Sequence, residues 1–237
     1  MKISDIIRKG LKLRYCGAVI VAAGTASRMG GVDKMFAPLQ DKPVLRYSLE
    51  AFQNAVAVKE IVVVTRPDLL EQVRLQCVSF DKVQAVVAGG ATRQESVEKG
   101  IAALSKKVKL VAVHDGARPL ISQAVIDRTV RAANSYNAAA PAIPVKDTIK
   151  VADGGLVVST PERSRLWAVQ TPQVFDKDIL SAALVKAKQD DAAVTDDCSA
   201  VERLGVKVKL VEGEEQNLKI TTPMDLKVAQ MLMEEAQ

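Results

Sequence analysis

Small residues and two cations follow an apolar run near the amino terminus of the chain. The stretch AAGTASRMGG covers residues 22–31 and contains Arg28, and Lys34 follows it. Small residues let backbone N–H groups approach phosphate oxygens, and the two cations can pair with a polyphosphate. The spacing matches neither GxxxxGKS/T nor GxGxxG, so a P-loop ATPase and a nicotinamide enzyme are not indicated. A tight strand–helix turn with two solvated cations explains the same residues equally well.

A second loop of small residues, VAGGATRQES, covers residues 87–96. Gly89 and Gly90 allow main-chain groups to come close to a flat ligand, such as the edge of a base. Arg93 and Ser96 either assist in binding or only open the helix that follows. This pattern alone is a weak indication of a binding site.

Asp115 follows the apolar run LVAVH of residues 110–114. A carboxylate in this position can bind a divalent ion that phosphates also coordinate. Gly116 leaves room beside it, and Arg118 can hold a substrate anion. His114 is the single histidine of the chain. We therefore interpret His114 as a hydrogen-bonding neighbour of the site and not as a catalytic group.

A lysine lies between apolar residues in the stretch NLKITT, residues 217–222, before the last predicted helix. At such a junction Lys219 can point into a cleft, although a surface lysine explains it as well.

The elements that must position these residues alternate between strand and helix. Apolar, β-branched runs predict buried strands at Gly17–Gly24, Ile61–Thr65, Val83–Ala88 and Leu110–His114. Helical patterns lie at Pro43–Phe52, Leu69–Cys77, Arg93–Leu104 and Gln123–Asn134. This alternation predicts an α/β fold with a Rossmann-like, mostly parallel sheet and helices on both faces. Ligands bind beyond the carboxyl ends of such strands, so the loops after Ala23, Ala88 and His114 are expected to meet.

The second half of the chain breaks this rhythm. A strand is predicted at Ala139–Ile143, and Pro141 within it predicts a bulge or an early end. The turn Asp153-Gly154-Gly155 between β-prone runs predicts a hairpin, which we expect to project as an arm at about 145–165. The remaining predicted elements are strands at Leu166–Thr171 and Val206–Val211, and helices at Asp178–Lys188, Asp196–Leu204 and from Thr222 onward. We expect one domain over residues 1–237, with an N-terminal extension at 1–16.

Composition excludes several classes of function. Hydrophobic residues make up 48% of the chain but aromatic residues only 3%, so the core must be aliphatic and a stacking platform for nucleic acid is not expected. The net charge of +5 is compatible with an anionic substrate and singles out neither nucleic acid nor a membrane. No apolar run approaches the roughly 18 residues of a membrane span. Three widely spaced cysteines favour buried thiols in a reducing, cytoplasmic setting.

Taken together and in this order, the four motifs resemble the 2-C-methyl-D-erythritol 4-phosphate cytidylyltransferase family. The resemblance covers roughly residues 18–229 and includes RQESV, VHDGARP, PVKDTIK, LWAVQTPQVF, TDDCSAVE and NLKITTPMDL. It implies a fold of the nucleotide-diphospho-sugar transferase type. It also implies transfer of CMP from CTP to the sugar-alcohol phosphate, with release of pyrophosphate and use of Mg²⁺, in the non-mevalonate isoprenoid pathway.

The resemblance also implies roles for individual residues. The catalytic residues would be Arg28, Lys34, Arg163 and Lys219. The residues that bind the nucleotide would be Ala22, Ala23, Gly24, Thr25, Ala26, Ser27, Arg28, Lys34, Gly90, Ser96 and Gly116. The residues that bind the acceptor would be Asp115, Arg118, Thr148, Arg163, Thr171, Thr195 and Lys219. Asp115 would also bind the metal, and the arm would form a homodimer that places Thr148 and Arg163 in the partner's site.

Three positions depart from the usual family pattern. Ala26 replaces a glycine, Asp33 replaces a proline before the catalytic lysine, and Ala91 stands where an aspartate is common. We expect an acid beside Lys34 to lower anion affinity without abolishing function. Two other functions fit less well: a cytidylyltransferase for ribitol 5-phosphate or another polyol phosphate, and a non-catalytic nucleotide-binding module.

Overall fold

The computed structural model describes residues 12–24 and 33–235, and a central β-sheet runs through them. The strands of this part of the chain are β1 (Cys16–Ala22), β2 (Pro38–Leu39), β3 (Lys42–Pro43), β4 (Val58–Thr65), β5 (Val83–Ala88), β6 (Leu110–Asp115), β7 (Ala138–Pro144), β8 (Val151–Asp153), β9 (Leu156–Ser159), β10 (Trp167–Val169), β11 (Gln173–Asp176) and β12 (Lys209–Glu212). The α-helices are α1 (Val44–Asn54), α2 (Leu70–Cys77), α3 (Arg93–Ala103), α4 (Gln123–Tyr136), α5 (Lys177–Gln189), α6 (Asp197–Glu202) and α7 (Pro223–Glu235).

The main sheet has eight strands, in the order β10-β7-β11-β6-β1-β4-β5, with β12 paired to β7. Strand β1 lies parallel to both β4 and β6, and β4 lies parallel to β5. Strand β11 runs antiparallel to β6 and β7. The sheet is therefore mixed but mostly parallel at its centre, which confirms the predicted fold class.

Helices cover both faces of the sheet, because its central strands are apolar on both sides. Alternate residues of β1 divide between two clusters: Ile20 packs with Leu49 and Phe52 of α1, whereas Val19 packs with Val97 of α3 and Leu180 of α5. Nearly all side chains of both clusters are aliphatic, as the shortage of aromatic residues required. The three cysteines are buried and unpaired, which confirms their interpretation as small core residues.

The structure differs from the sequence predictions mainly in the second half of the chain. Strand β7 runs through Pro141 to Pro144, so the prediction of a bulge or early end was wrong. Pro141 lies between the residues that pair with β11 (138–139) and those that pair with β10 (142–144), where the missing N–H falls in a gap between partners. Strands β2, β3 and β11 were not predicted, and β12 begins three residues later than predicted.

The predicted hairpin is confirmed as β8 and β9, which pair in antiparallel register. Its turn needs glycine, because Gly154 and Gly155 have φ angles of +53° and +82°. All residues of both strands are exposed. The single domain over residues 1–237 stays a prediction, and most of the expected extension lies outside the described residues.

Candidate active site

A cavity of about 260 Å³ lies at the carboxyl ends of the parallel strands β1, β5 and β6. The loops after Ala23, Ala88 and His114 meet there, as the alternating strand–helix pattern predicted. The described residues that line the cavity are Val21, Ala23, Gly24, Lys34, Met35, Gly90, Ala91, Thr92, Arg93, Ser96, Asp115, Ala117 and Lys219. Lys34 and Lys219, predicted from separate motifs, thus face the same space.

The loop after β5 places its main chain at the cavity. The hydroxyl of Ser96 accepts a hydrogen bond from the Gly90 N–H (3.1 Å) and donates one to the Thr92 carbonyl (2.9 Å). A side chain at Gly89 would lie 2.7 Å from Ser96 Oγ, and one at Gly90 would overlap Glu95. Only glycine therefore allows this loop to pack closely enough to present its backbone to a ligand.

Asp115 lies at the end of β6 among three cations. Its carboxylate is 2.7 Å from Nζ of Lys219, 3.6 Å from Nη2 of Arg93 and 4.0 Å from Nε of Arg118. Burial alone would raise the pKa of Asp115, but Lys219, Arg93 and Arg118 together lower this pKa to about 2. The carboxylate is therefore ionised at any physiological pH and can hold cations or a metal ion.

Asp197 belongs to the site although no motif predicted it, and Arg93, whose role the motifs left open, pairs with it. Nη2 of Arg93 lies 2.8 Å from a carboxylate oxygen of Asp197, which is fully buried in the first turn of α6. Burial would lower the pKa of Arg93, but Asp197 and Asp115 raise it above its usual value. Burial raises the pKa of Asp197, and Arg93 opposes this shift. The stretch TDDCSAVE indicated a capped helix, but nothing in it reveals a pair 104 positions apart.

His114 is linked to the backbone of Asp115 by hydrogen bonds through Thr171. Its Nε2–H donates to the Arg118 carbonyl (3.3 Å), so Nδ1 accepts from the Thr171 hydroxyl (3.0 Å). The Thr171 oxygen in turn accepts from the Asp115 N–H (3.1 Å). Burial lowers the pKa of His114 to about 3, so the ring is neutral at physiological pH. The interpretation of His114 as a non-catalytic neighbour agrees with this geometry.

Other predicted residues lie beside the cavity or away from it. Gly116 packs close to Met35 and Leu45, and Arg118 donates to the Asn217 carbonyl (2.7 Å). Thr195 lines an adjoining cavity of about 240 Å³, which shares Thr92 and Arg93 with the first.

Two predicted acceptor residues lie at the base of the arm. Thr148 and Arg163 are exposed, and Arg163 donates to the Lys146 carbonyl (3.0 Å). Neither lines the cavity that contains Asp115. Ala22 is buried next to the cavity, whereas the predicted residues Thr25, Ala26, Ser27 and Arg28 lie outside the described part of the chain.

A family model described as 2-C-methyl-D-erythritol 4-phosphate cytidylyltransferase (IspD) matches residues 16–235. The chain belongs to this family. The curated enzyme of that name from Caldanaerobacter subterraneus subsp. tengcongensis is 47% identical over 221 residues, which cover 91% of this chain and 97% of the relative. The one from Desulforamulus reducens is 45% identical, with 91% and 94% covered.

Solved structures of the family share the fold. The 4-diphosphocytidyl-2C-methyl-D-erythritol synthase of Anaerococcus prevotii has a TM-score of 0.85 at 32% identity, covering 93% of this chain and 96% of its own. The 2-C-methyl-D-erythritol 4-phosphate cytidylyltransferase of Thermus thermophilus has a TM-score of 0.76 at 33% identity, with 93% and 99% covered. The resemblance inferred from the motifs is therefore confirmed.

Proposed function

We propose that this chain transfers CMP from CTP to 2-C-methyl-D-erythritol 4-phosphate in the non-mevalonate isoprenoid pathway. The observation that carries the proposal is the cavity in which Lys34, Asp115 and Lys219 meet the glycine loop. Curated relatives that cover more than nine tenths of this chain bear the name of this enzyme. The products are 4-diphosphocytidyl-2-C-methyl-D-erythritol and pyrophosphate.

The reaction needs in-line positioning and neutralisation of charge more than a protein nucleophile. A phosphate oxygen of the acceptor attacks the α-phosphorus of CTP. The bond from that phosphorus to the oxygen shared with the β-phosphate breaks, and pyrophosphate leaves with the electron pair. The described lining residues offer cations for this chemistry and include no cysteine or histidine.

The nucleotide would lie against the small-residue loops. Ala22 to Ser27, with Gly90, Ser96 and Gly116, would contact the cytidine. Backbone groups would recognise most of the base, because the described lining residues include no aromatic ring. Lys34 and Arg28 would bind the triphosphate and stabilise the negative charge that accumulates on the pentacoordinate phosphorus.

Asp115 has the donor chemistry to bind Mg²⁺. It is the only acid among the described lining residues, and the described part of the chain contains no cluster of three acidic, cysteine or histidine side chains that could hold a metal. One carboxylate with substrate phosphates is a common arrangement for Mg²⁺, which would neutralise phosphate charge when bound. Lys219 now holds this carboxylate and would shift toward the acceptor phosphate in the complex.

The acceptor would lie between Arg118, Thr171, Thr195 and Lys219 on one protomer and Thr148 and Arg163 of the partner. We propose a homodimer through the arm, because the arm exposes an apolar surface and its base carries the two acceptor residues. Within the described residues, no helix is long and apolar enough to cross a membrane. Three buried, unpaired thiols fit a reducing compartment, and we propose the cytoplasm.

An acceptor panel tests the activity. Pyrophosphate release from CTP and Mg²⁺ is measured with 2-C-methyl-D-erythritol 4-phosphate, with ribitol 5-phosphate and without acceptor. We expect turnover with the first only. Turnover of ribitol 5-phosphate alone would establish the other transferase, and binding of CTP without any pyrophosphate release would establish a non-catalytic module.

Mixed dimers test the composite site. Lys34→Ala and Arg163→Ala each disable a different half of the site, so a hybrid dimer has one site that carries both substitutions and one that carries neither. An equal mixture that has exchanged subunits should regain about a quarter of wild-type activity. Activity no higher than that of the separate variants would show that each protomer uses its own Arg163.

A further inference from the structure

Asp33 precedes Lys34 and closes a turn at the cavity. Its Oδ1 accepts a hydrogen bond from the Met35 N–H (2.9 Å), and its carbonyl accepts from the Phe36 N–H (3.0 Å). The Met35 carbonyl then accepts from the Leu45 N–H (3.0 Å) at the start of α1. The carboxylate of Asp33 therefore shapes the backbone on which Lys34 stands.

The other carboxylate oxygen of Asp33 pairs with Arg66, which lies just after β4. Nη1 of Arg66 lies 2.7 Å from Asp33 Oδ2, and the exposed fractions of the two side chains are 25% and 14%. Arg66 also contacts the Asp68 carboxylate at 3.2 Å, but Asp68 is 64% exposed, so water screens its charge more than that of Asp33. Arg66 follows the last residue of β4, which pairs with the last residue of β1. The ion pair thus ties the segment of Lys34 to the carboxyl edge of the parallel sheet.

We propose that Asp33 and Arg66 form a clamp that positions Lys34 for the triphosphate and keeps the charge of Asp33 from repelling it. This inference rests on the proposed function. It differs from the expectation that an acid at position 33 lowers anion affinity, because Arg66 lies closest to this carboxylate and the same carboxylate holds the turn.

The clamp has two separable parts, and they affect different kinetic constants. The hydrogen bond to the Met35 N–H orients Lys34, so its loss lowers kcat. The ion pair neutralises the carboxylate, so loss of Arg66 leaves an uncompensated negative charge next to a polyanion and raises KM for CTP.

Four variants distinguish the parts, with kcat and KM for CTP measured at saturating acceptor and thermal unfolding measured in parallel. Arg66→Ala should raise KM about tenfold, and Asp33→Asn/Arg66→Ala should return it to within about threefold of wild type because the charge is gone. Asp33→Asn alone should nearly keep kcat, since the amide oxygen still accepts from the Met35 N–H, whereas Asp33→Ala should lower kcat about tenfold.

The matched control is Arg74→Ala. Arg74 is an exposed arginine on α2 that pairs with Glu71, and its removal should change neither constant. If the double variant has the same raised KM as Arg66→Ala, the neutralising role is wrong. If Asp33→Ala keeps the wild-type kcat, the positioning role is wrong.

Equilibrium binding of CTP separates this inference from the proposed function. A wild-type protein that binds CTP but never releases pyrophosphate refutes the function. The dissociation constants of Arg66→Ala and of the double variant still decide about the clamp, because relief of the affinity loss by Asp33→Asn supports it and persistence of the loss overturns it.

Discussion

The region around Asp115 and the arm differ in what one protomer provides for them. The charges around Asp115 find partners within the protomer, but the apolar side chains of the arm stay exposed. Three cationic side chains lie within 4.0 Å of the Asp115 carboxylate, and one of them, Arg93, also pairs with the buried Asp197. On the arm, Leu156, Val157 and Val158 are 77%, 62% and 67% exposed. The charged side chains of the first region pair within their own protomer, whereas the arm leaves apolar surface for a partner to cover.

The proposed active site therefore depends on the structure in two ways: on the fold of one protomer and on the assembly of two. The charged residues near Asp115 act through contacts that fold with the monomer, so changes there should alter stability or chemistry directly. The arm contributes little to the fold of its own protomer, so changes there should act through assembly. The following predictions test that separation.

The largest effect is expected at the buried carboxylate beneath the site. Asp197→Ala leaves Arg93, whose side chain is 31% exposed, without its closest partner, and we expect the free energy of unfolding to fall by about 3 kcal/mol, the low end for a broken buried pair. Urea unfolding followed by circular dichroism measures it. The control Asp190→Ala removes an exposed partner of Lys186 and Arg203 and should change stability little. Equal stabilities of the two variants would mean that the Arg93–Asp197 pair does not stabilise the fold.

A similar effect, on the reaction instead of the fold, is expected at Lys34. Lys34→Ala should lower kcat by ~10²–10³, because a positioned charge that stabilises the transition state is lost. The protein should unfold at nearly the wild-type temperature. Lys107→Ala, which removes an exposed lysine away from the cavity, should keep full activity. A near-normal rate in Lys34→Ala would remove this residue from the mechanism.

A smaller effect is expected from acid. The pKa of His114 is about 3 in the native state, against 6.5 as its ordinary value. Below pH 6.5 the unfolded chain therefore binds a proton that the native protein does not. As the pH decreases from about 6 to 4, the free energy of unfolding should fall by ~1.4 kcal/mol per pH unit.

Denaturant unfolding as a function of pH checks this slope. Asp197, whose pKa is raised by burial, acts in the opposite sense at the acid end of this window. His114→Gln should flatten the slope whatever its effect on stability at neutral pH. An unchanged slope in that variant would assign the acid sensitivity to other groups.

The smallest effect on the fold is expected in the arm. Leu156→Ser should change the stability of the protomer by less than about 0.5 kcal/mol, since the side chain is 77% exposed. It should nevertheless shift the protein toward monomer in sedimentation experiments. Leu75→Ser is a matched control, because Leu75 is 72% exposed on α2 outside the arm. Dissociation in the control, or none in the arm variant, would contradict the proposed interface.

Local pattern was sufficient for much of the fold. Strand β5 spans the predicted residues Val83–Ala88, because a short apolar, β-branched run between turn signals fits a covered strand. The arm was predictable because Gly154 and Gly155 accept positive φ angles. Strand β7 was misjudged at Pro141, since the position of a gap between partner strands depends on pairing and not on local sequence.

The site was predictable to a similar degree. Loops at the carboxyl ends of parallel strands were expected to meet, and Lys34, Gly90, Ser96, Asp115 and Lys219 do line one cavity. The pairs Arg93–Asp197 and Asp33–Arg66 were not foreseen, because each joins residues far apart in the chain that only packing brings together.

The amino-acid sequence alone determined most of the alternating strands and helices, the loops that approach the cavity and, through its motifs, the family. The elements and loops follow from short-range rules: side-chain branching, helical spacing, and the backbone freedom of glycine. The tertiary structure decided which cation neutralises which carboxylate and how deeply each pair is buried. Charge interactions depend on distance and on exclusion of water, and neither can be read from positions along the chain.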